Sequence, residues 1–345
     1  MRDLGAFLAH GPTDASTRPR YQHDVLSEFA HEFLAFLLNE SFKKVDVLIS
    51  RSYKDANCNS SSTHKVHERT MPLVIILKTK TSIPVEVDSI QLETVAKQST
   101  NDVKATLVQY GNKQVPLGEF FEVTGSAADD NCLVWEGDCA HVKLIGTKLR
   151  SGHIRVDGNA GMHLGAEMTG GEIIVNGNAT DWVGAEMHGG RIHVHGDAGH
   201  LVGAVYRGGY RGMTGGEILI DGNAGNEIGH SMRRGLIAVG GKAGDAAGVN
   251  MIAGTVLLFG NTGIRPGAGM RRGTIGLLDS DNPPDMLPTF KYACKYRPIF
   301  LRLYLRHLQS CRFSVPEDSL DAEFHRHCGD FLEDGKGEIL IRAAK

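Results

Sequence analysis

The chain has 345 residues, 41% of them hydrophobic, enough for one large or two modest folded domains with a real core. A net charge of −3 gives no basis for non-specific nucleic-acid binding, and no stretch approaches the roughly 20 apolar residues that cross a membrane. Six cysteines at irregular spacing, none in a C-x-x-C pair, and a start without a signal-peptide pattern read as free thiols in a reducing, cytoplasmic compartment.

Residues 1–70 read as an N-terminal extension. DVLSEFAHEFLAFL (24–37) fits an amphipathic helix, and NCNSSSTHKVHERT (57–70) is polar and loose. This extension is expected to be dispensable, or to lie upstream of a true start at Met71. Residues 71–136 read as a small α+β cap. MPLVIILKTK and IPVEVD have strand composition, SIQLETVAKQS reads as a helix, and KATLVQYGNKQVPLGEFFEVTG adds further strand.

The next stretch, 137–279, is written in repeats. Glycines precede an alternating apolar pair at Gly152, Gly171, Gly190, Gly216, Gly235, Gly254 and Gly273, in steps of 19, 19, 26, 19, 19 and 19 residues. The apolar pairs follow in column: Ile154/Val156, Ile173/Val175, Ile192/Val194, Ile218/Ile220, Ile237/Val239 and Val256/Leu258. Further glycines stand at fixed offsets, Gly165 and Gly184 among them, and Met168, Met187, Met213, Met232, Met251 and Met270 form another column. A unit this short buries its aliphatic pair only by stacking on a copy of itself. Alternation marks a short strand with one face inward, and fixed glycines mark corners that need positive φ or close backbone approach. The expected fold is therefore mainly β: a single-stranded parallel, right-handed β-helix solenoid of ~19-residue coils, with the α+β cap before it and a C-terminal helix and tail after it. GDCAHVKLIGTKLRSG (137–152) reads as an incomplete first coil. The methionines are expected as core filler. Asn159, Asn178, Asp197, Asn223 and Asn261, with Lys242 as exception, are expected to stack as a ladder of side-chain amides. Residues 280–345 hold a linker, a helix over PIFLRLYLRHLQS with Ile299, Phe300, Leu303 and Leu308 facing an apolar surface, and a last strand in GKGEILIRAAK. This tail is expected along the outside of the solenoid or on a partner.

Chemistry is sparse. No P-loop, H-E-x-x-H, nucleophile elbow or dinucleotide fingerprint in a βαβ context is present. His193 and His195, with His188 and His200 nearby, lie on an outward strand face with no carboxylate at ligand spacing, and read as surface. His325, His327 and Cys328 read likewise. Glu167 and Glu186 share an offset on adjacent coils and read as a solvated or salt-bridged edge. No catalytic residue and no metal ligand is expected in this chain. The seven-residue excess lies within VYRGGYRG (205–212), which bears Tyr206, Arg207, Tyr210 and Arg211 and reads as a contact loop. Arg233-Arg234 and Arg271-Arg272 fall two coils apart, on one side of the column. They are expected to form a basic patch that grips carboxylates, of an anionic cofactor chain or of a partner protein.

The glycine columns, LVQYGNKQVPLGEFFEV (107–123), GVNMIAGTVLLFGNTGIRPGAGMRRGTI and the LPTF…PIFLRLYL tail resemble a known family. The repeat is similar to the G-x-G-x-G β-helix domain of the glutamate synthase large subunit. Residues 71–345 as a whole resemble the C subunit of formylmethanofuran dehydrogenase, and more specifically the C subunit of the bacterial formyltransferase/hydrolase complex. The resemblance implies a non-catalytic scaffold in a cytoplasmic complex. There a formyl group passes from formyl-tetrahydromethanopterin to a methanofuran-type carrier and is then hydrolysed to formate. The implied partners are the formyltransferase-like D subunit, the amidohydrolase-like A subunit and the B subunit. No cofactor is expected to be firmly bound by this chain itself. Three other readings stand beside it: the C subunit of a CO2-reducing complex, a stand-alone β-helix acyltransferase, and a polysaccharide lyase. The tail favours the hydrolytic complex, the 19-residue period lacks hexapeptide pattern, and the charged columns lack stacked carboxylates.

Overall fold

The computed structural model describes residues 72–279 and 283–344; the expectations for 1–70 lie outside the described residues. Before the repeat come β1 (Leu73–Leu77), β2 (Val85–Glu86), helices α1 (Leu92–Val95) and α2 (Thr100–Ala105), then β3 (Leu107–Tyr110), β4 (Lys113–Pro116), β5 (Phe121–Thr124), β6 (Cys132–Glu136) and β7 (Val142–Lys143). The helix expected over SIQLETVAKQS (89–99) is shorter, Leu92–Val95, and a second helix, Thr100–Ala105, follows directly after that stretch. Ser99 starts the second: its hydroxyl accepts the Asp102 N–H, and the Asp102 carboxylate accepts the Ser99 N–H.

The repeat supplies β8 (His153–Asp157), β9 (Glu172–Val175), β10 (Arg191–Val194), β11 (Glu217–Ile220), β12 (Leu236–Val239), β13 (Thr255–Leu258) and β14 (Arg272–Leu277). The tail supplies β15 (Lys291–Tyr296), α3 (Ile299–Ser310), β16 (Phe324–Gly329) and β17 (Lys336–Arg342). One 13-stranded sheet runs β15-β16-β17-β14-β13-β12-β11-β10-β9-β8-β6-β1-β5, and β4-β3-β2-β7 make a second sheet. From β1 through β6, β8 to β14 and on to β17 the pairing is parallel, whereas β5, β15 and β16 pair antiparallel. The fold is thus mainly β with a large, mostly parallel, β-helix-like sheet.

Register explains the periodicity. Ile154, Ile173, Ile192, Ile218, Ile237, Val256 and Ile275 are successive Cα partners across seven strands. All are buried, as is the parallel column from Val156 to Leu277. Each such side chain removed from water contributes about 1.5–3 kcal/mol. These aliphatic side chains line one shared interior. The six methionines are fully buried beside them, as expected of filler. Single Cα bridges from Ala160 to Ala179 to Ala198, and from Ala224 to Ala243, tie the units at a second place.

The polar ladder differs from expectation. It runs chiefly from side chain to backbone: the Asn159 side-chain oxygen accepts the backbone N–H of Asn178 at 2.9 Å, Asn178 serves Asp197 at 2.8 Å, Asp197 serves Asn223 at 2.6 Å, and Asn223 serves Lys242 at 2.8 Å; the Asn223 side-chain amide also donates to Asp197 at 3.0 Å. Only an acceptor is needed to satisfy the next unit's N–H, which explains why Asp substitutes for Asn. Lys242 contributes its backbone N–H, so its side chain is irrelevant to that bond. A second ladder, unforeseen, runs through Asp181, His200, Asn226 and Asp245 in the same manner.

The tail does two things. Its last strand, β17, continues the main sheet beside β14, with Ile339 next to Ile275. Its helix α3 covers the outer face of the sheet and forms a second apolar cluster with Leu219, Leu236, Ala238 and Leu257. The buried stripe is Leu301, Leu305 and Leu308, an i, i+4, i+7 pattern. Ile299 and Leu303, expected inward, are 80% and 52% exposed. Covering both faces explains why EILI, LIAV and TVLL lose the alternation that HIRVD keeps. The main sheet also runs across residue 136, where the composition sets a boundary: Cys132 pairs with His153. Among the described residues no helix is long and apolar enough to cross a membrane, and the five cysteines are free thiols.

Candidate functional site

Three side-chain groupings lie on the outer surface of the repeat. The first is a cleft of about 640 Å³ between β12, β13, β14 and α3, lined by Arg233, Arg234, Arg271, Arg272, Tyr304 and Asp334. The four arginines come together because both pairs precede the unit glycines Gly235 and Gly273, two units apart. Among the described residues the one ion pair they make is from Arg271 Nε to Glu333, at 3.3 Å. Arg234, Arg271 and Arg272 are exposed and Arg233 is half-buried, and guanidinium groups with one neighbouring pair leave donors in fork geometry for carboxylates or other oxyanions.

The insertion loop does not join this cleft. Arg207, Tyr210 and Arg211 are exposed, Tyr210 at 90%. Tyr206 turns inward instead. Its ring stacks on Trp182 at 5.1 Å, and its hydroxyl lies 3.0 Å from His163 Nδ1. Burial, with Glu167 and Glu186 nearby, pushes the Tyr206 phenol up to about 12. Glu167 reaches Lys148 at 3.8 Å, and Glu186 accepts the Tyr206 N–H at 3.0 Å. Both hold positive-φ corners, at +55° and +52°.

The second grouping is a charge ladder that sequence reading missed. His153, Glu172, Arg191 and Glu217 are Cα neighbours on successive strands. His153 Nδ1 lies 3.3 Å from Glu172, Arg191 bridges Glu172 and Glu217, and His307 Nε2 of α3 meets Glu217 at 2.6 Å. The signal is one residue after each unit glycine, where the letters run H, E, R, E before turning uncharged at Leu236, Thr255 and Thr274. The Cys311 sulfur at 3.7 Å and the Glu217 carboxylate both favour the charged imidazole and push His307 up to about 10. Burial pushes Glu217 up, but His307 and Arg191 outweigh it and hold the carboxyl below its ordinary value. A histidine raised from 6.5 contributes stability that is fully present below that pH and is lost as pH rises toward about 10. Melting temperature is therefore expected to fall from pH 6.5 to 10 more steeply in the native protein than in His307→Gln. Parallel curves would remove the role assigned to this imidazole.

The third grouping corrects an expectation. His193 and His195 do face outward, but His193 is covered: its side chain is 8% exposed, and the Phe313 ring stands 6.5 Å away. A carboxylate is at hand after all. Asp221, the Cα neighbour of His195 in the next unit, accepts from His193 Nε2 at 3.0 Å and from His195 Nδ1 at 2.7 Å. The 26-residue step hid it from linear spacing. His188 and His200 belong elsewhere, to Thr214 and the second ladder. His325 and His327 of β16 pack under the Tyr292 ring.

Residues 141–287 match the GXGXG motif family. The C subunit of the tungsten-containing formylmethanofuran dehydrogenase 2 of Methanothermobacter marburgensis is 39% identical over 97 residues, 27% of this chain and 36% of that protein. The C subunit of the molybdenum-containing formylmethanofuran dehydrogenase 1 of the same organism is 42% identical over 95 residues, 28% of this chain and 24% of that one. The chain thus spans about a third or less of these curated relatives. A chain of the formyltransferase/hydrolase complex (FhcABCD) from Methylorubrum extorquens, solved with methylofuran, superposes with a TM-score of 0.72 at 31% identity, over 79% of this chain and 100% of its own length. A relative matched from end to end at that identity, with the glycine-unit family and the two dehydrogenase relatives agreeing, shows that this chain belongs to the C-subunit family of formylmethanofuran dehydrogenases and formyltransferase/hydrolase complexes.

Proposed function

We propose that this protein is a scaffold component of a one-carbon-transfer complex in the cytoplasm. Formyl would pass there from formyl-tetrahydromethanopterin to a methanofuran-type carrier and be hydrolysed to formate. Residues 71–136 act as the cap, 137–279 as a right-handed β-helix solenoid, 280–345 as the closing tail and 1–70 as an extension. The observation that carries this is the match over the full length of a chain from a formyltransferase/hydrolase complex. The reacting groups sit on neighbouring proteins of the complex: the formyltransferase-like D subunit, the amidohydrolase-like A subunit and the B subunit. The hydrolytic complex is favoured over the CO2-reducing one because the end-to-end match is to the former.

The arginine cleft gives the scaffold its grip. Arg233, Arg234, Arg271 and Arg272 hold carboxylates of the carrier's chain or of a neighbouring protein, and Tyr206, Arg207, Tyr210 and Arg211 present a separate contact loop. Replacing the four cleft arginines with serine is expected to weaken retention of carrier or partner by at least about tenfold, since each lost charge-assisted hydrogen bond costs about 1.5–3 kcal/mol. The check is affinity capture of the tagged protein from its own cells, followed by quantitation of the co-purifying partners and formyl-transfer activity. Unchanged recovery and activity would remove the cleft from the proposal. A monomer with acyl-transfer or lyase activity of its own would remove the scaffold.

A further inference from the structure

The cluster of His193, His195 and Asp221 is not needed by the scaffold reading. Its ligand atoms, one from each residue, lie within 4.8 Å of one another. Ligand atoms around a tetrahedral zinc stand about 3.3 Å apart, so small side-chain rotations bring all three into bonding range. We propose that His193, His195 and Asp221 form a site for a divalent ion of the zinc class, held by two imidazole nitrogens and one carboxylate oxygen with a coordination position left open.

Four observations carry this. The donor set is two nitrogens and one oxygen, which suits zinc and its neighbours over calcium or magnesium. The ligands sit on two adjacent strands of a hydrogen-bonded sheet, or one residue beyond their ends, with His193 directly opposite Leu219, so the backbone spacing is fixed before any ion arrives. His193 is nine-tenths buried, with Phe313 beside it. A wall of that kind limits rotamers and keeps one side of the site dry. Finally, among the described residues Asp221 makes no ion pair to lysine or arginine; its partners are the two imidazoles. Its charge therefore lacks a permanent cation. The ion would take the place of the two imidazole protons now bridging to the carboxylate, and those protons would move to the far ring nitrogens.

A second set, Glu217, His307 and Cys311, has similar spacing. It is the weaker candidate because Arg191 already neutralises Glu217. An arriving dication would have to displace or face that guanidinium.

The test uses the full chain, or the complex with which it purifies, stripped with chelator and then exposed to Zn²⁺ or Co²⁺ salts. Native protein is expected to retain one zinc per chain after gel filtration, and the cobalt form to show visible ligand-field bands without a thiolate charge-transfer band. His195→Ala and Asp221→Asn should each weaken retention at least about tenfold, since even outer-shell partners of a metal cost that much. Cys311→Ser should retain zinc as the native protein does. His195 is half-exposed, so its metal-free melting curve should match the native one and separate ligand loss from misfolding. Sub-stoichiometric zinc in the native protein at micromolar free ion would overturn the site, as would native-level zinc in either ligand variant or a cobalt thiolate band lost in Cys311→Ser. Partner capture is read separately, so failure here leaves the scaffold proposal standing.

Discussion

Gly165→Ala is expected to lower unfolding free energy by roughly 2–5 kcal/mol, although it adds one methyl group. Gly165 has φ +62°, and a Cβ there would stand 2.5 Å from Ile192 Cδ1 and 3.1 Å from Ile173 Cδ1. The left-handed conformation alone costs about 1–2 kcal/mol, and forcing a methyl into a filled core about 1–3 more. Both isoleucines are fully buried and belong to the shared column, so neither can swing away without meeting the next unit. Gly208 separates the two contributions. It has φ +86° but nothing within 4 Å of its would-be Cβ, so Gly208→Ala should cost only the backbone share, about 1–2 kcal/mol. Denaturant unfolding of both variants gives the comparison. Equal losses would mean that stacking of aliphatic side chains across units does not govern the corner.

Glu217→Ala is the second change with a large expected effect, about 2–4 kcal/mol of lost stability. The Glu217 side chain is 15% exposed and joins Arg191 of β10 to His307 of α3. Removing it leaves the half-buried Arg191 guanidinium with Glu172 as its one remaining carboxylate and the charged His307 imidazole without its partner. A partly buried charge stripped of its partner costs more than the pair contributed. The reference change is Asp321→Ala, whose partner Arg302 is 43% exposed and whose own side chain is 70% exposed. A surface pair of that kind is worth about 0–1 kcal/mol. A Glu217/His307 double-mutant cycle measures the coupling directly, and a coupling near zero would show that α3 is held by its leucines alone.

The inward columns are plain in the sequence because they obey a fixed arithmetic. Ile, Val, Gly and Met recur at the same offsets, and each offset corresponds to one place on the stacked interior. The outward face is harder to read. Leu219, Ala238 and Leu257 break the alternation for a reason visible only once α3 lies over them, and the buried face of α3 is Leu301, Leu305 and Leu308. Pairings between neighbouring units are also partly hidden. Asp221 lies 26 residues after His195 because of the insertion at 205–212, so a search at regular spacing passes it by. The arginines of the cleft lie together because both pairs keep the same offset from a unit glycine. Tyr206 stands apart from them, because an inserted loop carries no register and its ring meets Trp182 and His163 instead.

Each end of the large sheet is an open row of hydrogen-bonding groups. A surface that accepts one more identical parallel strand would accept another molecule just as readily, and such molecules would grow into filaments. Here both ends finish in antiparallel pairing: β5 runs against β1 at one end, and at the other β16 runs against β17 and β15 against β16. An incoming copy would meet a reversed strand at β5, and at β15 it would meet the exposed Lys291 and Lys295. The same chemistry that lengthens the pile within the molecule is thereby denied between molecules, and the number of stacked units is set by the chain itself.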